Sequence, residues 1–157
     1  MNDNFTIITG SKDKLTKEEI NFFDWVHEVW EHHRYDLKAV AWNDKKIKEL
    51  FKEYNIKDRH DTLKNPIDVC SSSLNEIQFK CKNGKVAKKF IGHLRNSYSH
   101  LYFKKTALSD NIHLQDWNII DRKTAAYGCT MDMVIPFEFL KKLTELILKN
   151  YINTFSK

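Results

Sequence analysis

Ile112-His-Leu-Gln-Asp-Trp-Asn-Ile-Ile120 and Thr130-Met-Asp-Met-Val-Ile135 alternate, roughly, between apolar and polar residues. Period two sends successive side chains to opposite faces, so each stretch reads as a strand with one buried side. Polar and glycine residues separate them, which fits a small β-hairpin. Outside this region the period changes. Pro136 opens a last helix whose apolar face is Phe137, Leu140, Leu143, Leu146, Ile147 and Tyr151. Proline is suited to a helix start because its missing N–H would have no intrahelical partner there.

Upstream, the pattern is helical. Thr16 and Glu19 have capping-box spacing, in which each side chain satisfies an orphan backbone donor. Phe22, Phe23, Val26, Trp30, His33, Leu37 and Ala41 then recur at helical spacing, predicting a first helix from 16 to about 42. Asn43 or Asp44 caps a second helix bearing Ile47, Leu50, Phe51 and Tyr54. Asn65-Pro66 starts a third, with Ile67, Cys70, Leu74 and Ile77 as its stripe, and Asn83-Gly84 supplies a turn. A fourth runs from about Lys85 to Lys104. Residues 1–14 read as a loose arm with a short extended piece at Phe5–Thr9.

The expectation is therefore an all-α fold: an up-and-down helical bundle forming one domain over residues 1–157. The hairpin, at about 106–135, is an insertion before the last helix. The 4 Gly and 2 Pro among 157 residues agree, being too few for a sandwich or barrel built on many tight turns. Hydrophobic residues at 41% are enough for a core, which argues against disorder.

Function classes narrow next. Lys and Arg exceed Asp and Glu by 26 to 21, a net +5 that admits a polyanionic partner without demanding one. Cys70, Cys81 and Cys129 are odd in number and lack C-x-x-C spacing, so they read as thiols of a reducing cytosol. MNDNFTIITG lacks the basic and apolar regions of a signal peptide, and no segment has the roughly 20 apolar residues of a membrane span. A cytoplasmic location is expected. No Gly-rich phosphate cradle is present, which argues against a nucleotide-driven enzyme. His27-Glu28-Val29-Trp30-Glu31-His32-His33 fails as H-E-x-x-H because Glu31 stands where the second histidine belongs. No metal and no cofactor is assigned, and His27 and Glu31 remain one-turn neighbours. Asp58-Arg59-His60-Asp61 reads as a loop with capping roles.

The helix over 85–104 carries the chemistry. Ala87, Phe90, Ile91, Leu94, Tyr98, Leu101 and Tyr102 share its core face. Lys85, Lys88, Lys89, His93, Arg95, Asn96, Ser99 and His100 share the opposite arc, and no acidic residue interrupts 85–105. A solvated helix face ordinarily mixes charge signs. This one offers a fixed cation, an amide and imidazoles. These groups suffice for RNA cleavage by the neighbouring 2′-hydroxyl. A histidine moves the proton, and an arginine holds the phosphate as charge develops. A two-fold dimer through this face would supply two sets.

The run Arg95-Asn-Ser-Tyr-Ser-His100 resembles the R-x4-6-H signature of HEPN domains, with a polar residue directly after the arginine, and His100-Leu101-Tyr102 fits the extended H-x-Y form. The resemblance is motif-specific over roughly 86–150 and architectural over 16–80. It implies a HEPN-like all-α bundle and a metal-independent endoribonuclease, acting as a toxin or anti-phage effector through a composite site at a homodimer interface. Arg95 and His100 would be catalytic and Asn96 would support them. Lys85, Lys88, Lys89 and Ser99 would bind RNA. In pairs with a nucleotidyltransferase antitoxin, Tyr102 would be the tyrosine it adenylylates. The alternatives are a non-catalytic HEPN-like module binding RNA, nucleotide or protein through the same helix, and a helical adaptor docking an acidic protein.

Overall fold

A computed structural model describes residues 7–60, 74–81, 85–105, 110–121 and 126–154. In order these form α1 (Lys17–His33), α2 (Lys45–Glu53), β1 (Lys57–Asp58), β2 (Glu76–Phe79), α3 (Val86–Ser99), β3 (Phe103–Lys105), β4 (Asn111–Asp121), β5 (Ala126–Pro136) and α4 (Phe137–Ile147). One five-stranded sheet has the order β1-β2-β5-β4-β3, antiparallel except for the β1–β2 pair. The fold is mixed α/β, which corrects the all-α expectation. The hairpin is real, but it is the middle of the sheet rather than an insertion into a bundle.

The missed strands are short. β2 has four residues and β3 three, too few for a period to declare itself. Ile77, placed at the end of a helical stripe, lies in β2, where Ile77 and Phe79 face one way and Glu76 and Gln78 the other. Leu74 makes an isolated parallel bridge to Val134. The expected helix start at Asn65-Pro66 and the Asn83-Gly84 turn lie outside the described residues.

The capping box at the start of α1 is present. Thr16 N–H donates to Glu19 Oε1 at 2.7 Å, and Glu19 N–H donates to Thr16 Oγ1 at 3.1 Å. Thr16→Ala is expected to cost about 1 kcal/mol, read as a lower urea midpoint at unchanged slope. α1 stops at His33 rather than near 42. Beyond it, Lys38 N–H donates to the Tyr151 hydroxyl (2.9 Å) and Val40 N–H to Ile147 O (3.0 Å). Leu37, Ala39 and Val40 pack on the core from this irregular segment, so apolar spacing alone mimicked a longer helix. Asp44 caps α2 by accepting from Lys46 N–H, and Pro136 precedes α4 as expected.

α3 also ends early. Leu101 takes a positive φ of 60°, Leu101 N–H donates to Tyr98 O and Tyr102 N–H to Ser97 O (2.8 Å). These are the two bonds of a Schellman stop, with leucine where glycine is usual. The chain then enters β3, and Gly10 N–H holds the turn by donating to Leu101 O.

One apolar core joins the helices to one face of the sheet. Phe103, Leu114, Met133 and Ile77 stand side by side across β3, β4, β5 and β2, all buried. α3 contributes Ala87, Phe90, Ile91, Leu94 and Tyr98 to this core. The other face carries buried polar residues. Gln78, Asp132 and Gln115 align across β2, β5 and β4, and His113 Nε2 pairs with Asp132. Gln115 Oε1 accepts from Trp117 Nε1–H (2.9 Å) and from Ile8 N–H (3.0 Å), so the described end of the N-terminal arm is tied to this face. Cys129 is disulfide-bonded, which corrects the expectation of three thiols, and Cys81 is buried.

Candidate functional site

Gly92 sets the approach of α1 to α3. A Cβ there would stand 2.9 Å from the Trp30 ring, so glycine lets the two helices lie close. The Tyr98 hydroxyl donates to Asp24 at 2.9 Å in the same seam, and its ring stacks on Phe23. Burial first, and then the Asp24 carboxylate, push the Tyr98 hydroxyl pKa well up. This seam brings Glu31 to Arg95.

Arg95 is gripped from two sides. Its Nε and Nη2 both donate to Glu31 Oε1, the first at 3.1 Å, while Nη1 donates to Asn96 Oδ1 at 3.0 Å. Asn96 passes the link on, with Nδ2 donating to Asp116 Oδ2 at 3.3 Å. The same oxygen meets His93 Nδ1 at 2.7 Å, and His93 Nε2 faces Lys80 O at 3.0 Å. His93 thus lies between two oxygen acceptors, the Asp116 carboxylate and the Lys80 carbonyl. Asp116 is 1% exposed and Arg95 and Asn96 are half-buried. The amide therefore has one arrangement: its donor toward a buried carboxylate, its acceptor toward a guanidinium.

The predicted site residues separate into groups. Arg95 and Asn96 share one network. His100 is exposed and caps the C-terminal end of α3, its ring 5.6 Å from that of Tyr102. Among the described residues its side chain makes no hydrogen bond to Arg95 or Asn96. Lys85, Lys89 and Ser99 are exposed and Lys88 is half-buried. Tyr102 lies beyond the Leu101 turn, so it does not continue the helical arc of Arg95 and Ser99. The arc is free of acids within α3, but Glu31 from α1 and Asp116 from β4 reach it. His93, expected to share the solvent-facing arc, is instead turned toward the sheet.

Three basic groups converge on Glu31. Besides Arg95, His27 Nε2 lies 3.7 Å from Oε1 and Arg34 Nη1 lies 3.9 Å from Oε2. The Arg95 hydrogen bond leads in lowering the Glu31 pKa, and the charges of Arg95, His27 and Arg34 add to it against partial desolvation. A depressed carboxylate pKa stabilises the fold above the unfolded-state value, and that contribution is lost as pH falls through the folded value. An NMR titration is expected to place the Glu31 midpoint below that of an ordinary glutamate, and Arg95→Ala to move it back up.

Sequence reasoning missed Asp116 and the use of Glu31. Asp116 had a signal: it shares parity with Ile112 and Leu114, an acid in the apolar register of β4. Glu31 had only its turn-distance from His27. Among the described residues no cluster of metal-ligating side chains is present, and no helix is long and apolar enough to cross a membrane. Comparison with protein-family models, curated proteins and solved structures finds no match.

Proposed function

We propose that the protein is a metal-independent endoribonuclease of the HEPN type, active as a homodimer in the cytoplasm as a toxin or anti-phage effector. The observation that supports this best is the fixed guanidinium of Arg95. It is oriented by Asn96 and Glu31 on a helix that ends in the exposed imidazole of His100. A planar cation held this way is suited to a phosphate, because paired N–H donors match phosphoryl oxygens. In the proposed reaction the 2′-hydroxyl attacks the adjacent phosphorus, His100 takes part in proton transfer and Arg95 neutralises the developing charge. Lys85, Lys88, Lys89 and Ser99 extend the surface along the strand. Tyr102 is the proposed point of control by a nucleotidyltransferase antitoxin.

A second reading, a binding module for RNA, nucleotide or protein, draws on the pairing of Arg95 with Glu31, which an entering phosphate must displace. The two readings part on one substrate pair. The nuclease cuts an RNA oligonucleotide, leaves 2′,3′-cyclic phosphate ends, and spares the same sequence carrying 2′-deoxyribose. A binding module retains both and cuts neither.

A further inference from the structure

We infer that His27 is the second proton-transfer residue of the proposed site, supplied by the same chain as Arg95. The inference rests on the ribonuclease reading.

The argument starts from Glu31 Oε1. That one oxygen is the acceptor for two N–H groups of Arg95 and stands 3.7 Å from His27 Nε2. An anionic oxygen is thus already bound by a guanidinium, with an imidazole nitrogen 3.7 Å away. A phosphoryl oxygen has the same charge and acceptor character, so the carboxylate marks where the scissile phosphate sits once Glu31 swings aside. Glu31 is a partly exposed side chain, with a third of its surface open. His27 is reachable too, with 42% of its side chain exposed.

Within one set of site residues, His100 serves only one end of the reaction. Cleavage moves one proton away from the 2′-oxygen and another onto the 5′-oxygen, on opposite sides of the phosphorus. His100 follows Arg95 by five residues, about 140° round the helix and about 7.5 Å along it. His27 comes from α1, across the seam. The two imidazoles therefore approach Arg95 from different elements.

The charged groups around His27 are accounted for. Glu31 is one turn on, and Asp24 one turn back is engaged by the Tyr98 hydroxyl from α3. Glu28 pairs with His32 at 3.1 Å. Arg34 reaches Glu31 Oε2, and Arg95 reaches Oε1.

The step balances. The 2′-oxygen bonds to phosphorus as its proton passes to the His100 imidazole. The bond from phosphorus to the 5′-oxygen breaks as that oxygen takes a proton from the His27 imidazolium. The products are a 2′,3′-cyclic phosphate and a 5′-hydroxyl, and solvent returns both rings to their starting states. His27 is given the acid role because its Nε2 faces an acceptor position.

The test compares parent, His27→Ala and the control His32→Ala on two substrates in EDTA. One is an RNA oligonucleotide; the other is a uridine 3′-phosphate ester with a nitrophenol leaving group, which departs without protonation. The expected result is a kcat on RNA reduced at least about 100-fold in His27→Ala with KM little changed. The deficit should vanish on the nitrophenyl ester, with His32→Ala matching the parent on both. Parent-like RNA cleavage by His27→Ala overturns the inference and leaves the ribonuclease reading standing. An equal deficit on both substrates, at an unchanged circular-dichroism melt, overturns the acid role. No cleavage by the parent overturns the reading and the inference together.

Discussion

Arg95→Ala is expected to abolish RNA cleavage, by about a thousand-fold or more, while leaving the fold intact. The two halves of this result have separate causes. The Arg95–Glu31 pair is open to solvent and screened by water, so it contributes little to stability. The core face of α3 does not include Arg95, so the melting temperature should fall by only a few degrees at most. Catalysis depends on a different property, a planar donor array fixed before the phosphate arrives. Arg95→Lys keeps the charge but loses the fork and the Asn96 bond, so it should remain far nearer to alanine than to the parent. Rates of RNA cleavage measured beside thermal melts check both halves. A variant that melts like the parent and cuts like it removes Arg95 from the site.

Asp116→Ala carries the largest expected loss of stability, because each buried donor left without its acceptor costs about 1–3 kcal/mol. The carboxylate is 1% exposed and accepts from both His93 and Asn96. Removing it leaves two donors facing a cavity inside the interface of α3 with β4. Because the cost lies in the stranded donors rather than in the lost carboxylate, Asp116→Leu should be no remedy. Changing His93 as well, in His93→Phe/Asp116→Leu, should recover part of the loss. Urea denaturation of the single and double variants measures this coupling. A cost below about 1 kcal/mol for Asp116→Ala would show that the buried network does not brace the site.

The elements legible in the sequence were those with long periods and clear starts. α1 announced itself through Thr16 and Glu19, α2 through Asp44, α4 through Pro136, and the β4–β5 hairpin through its alternation. The sheet did not, because β1, β2 and β3 are two to four residues long and gain their order from the hairpin they pair with. Ile77 satisfied helical spacing from Ile67 and Cys70 as well as it satisfied a strand, and only the partner β5 decides between them. The end of α3 was hidden for a related reason. Leu101 carries no glycine signal, and its positive φ is imposed by β3 pairing and by the Gly10 hydrogen bond.

The candidate site divides along the same line. Arg95, Asn96 and His100 lie within six residues, so a local motif exposes them. Asp116 lies 20 residues from Asn96, and Glu31 lies 64 from Arg95. Contacts at that separation are set by how α1 and the sheet pack on α3, which no local spacing encodes. The face of α3 looked purely basic because its acidic partners belong to other elements. Glu31, and Asp116 through Asn96, give the arginine its orientation, and α1 also carries His27.

The most direct test of the central claim is cleavage of total RNA in EDTA by the purified protein, beside His100→Ala. Cleavage by the parent into fragments with 2′,3′-cyclic phosphate ends, and none by the variant at an unchanged melting temperature, is the predicted result. Equal cleavage by both, or cleavage that EDTA stops, would contradict the account.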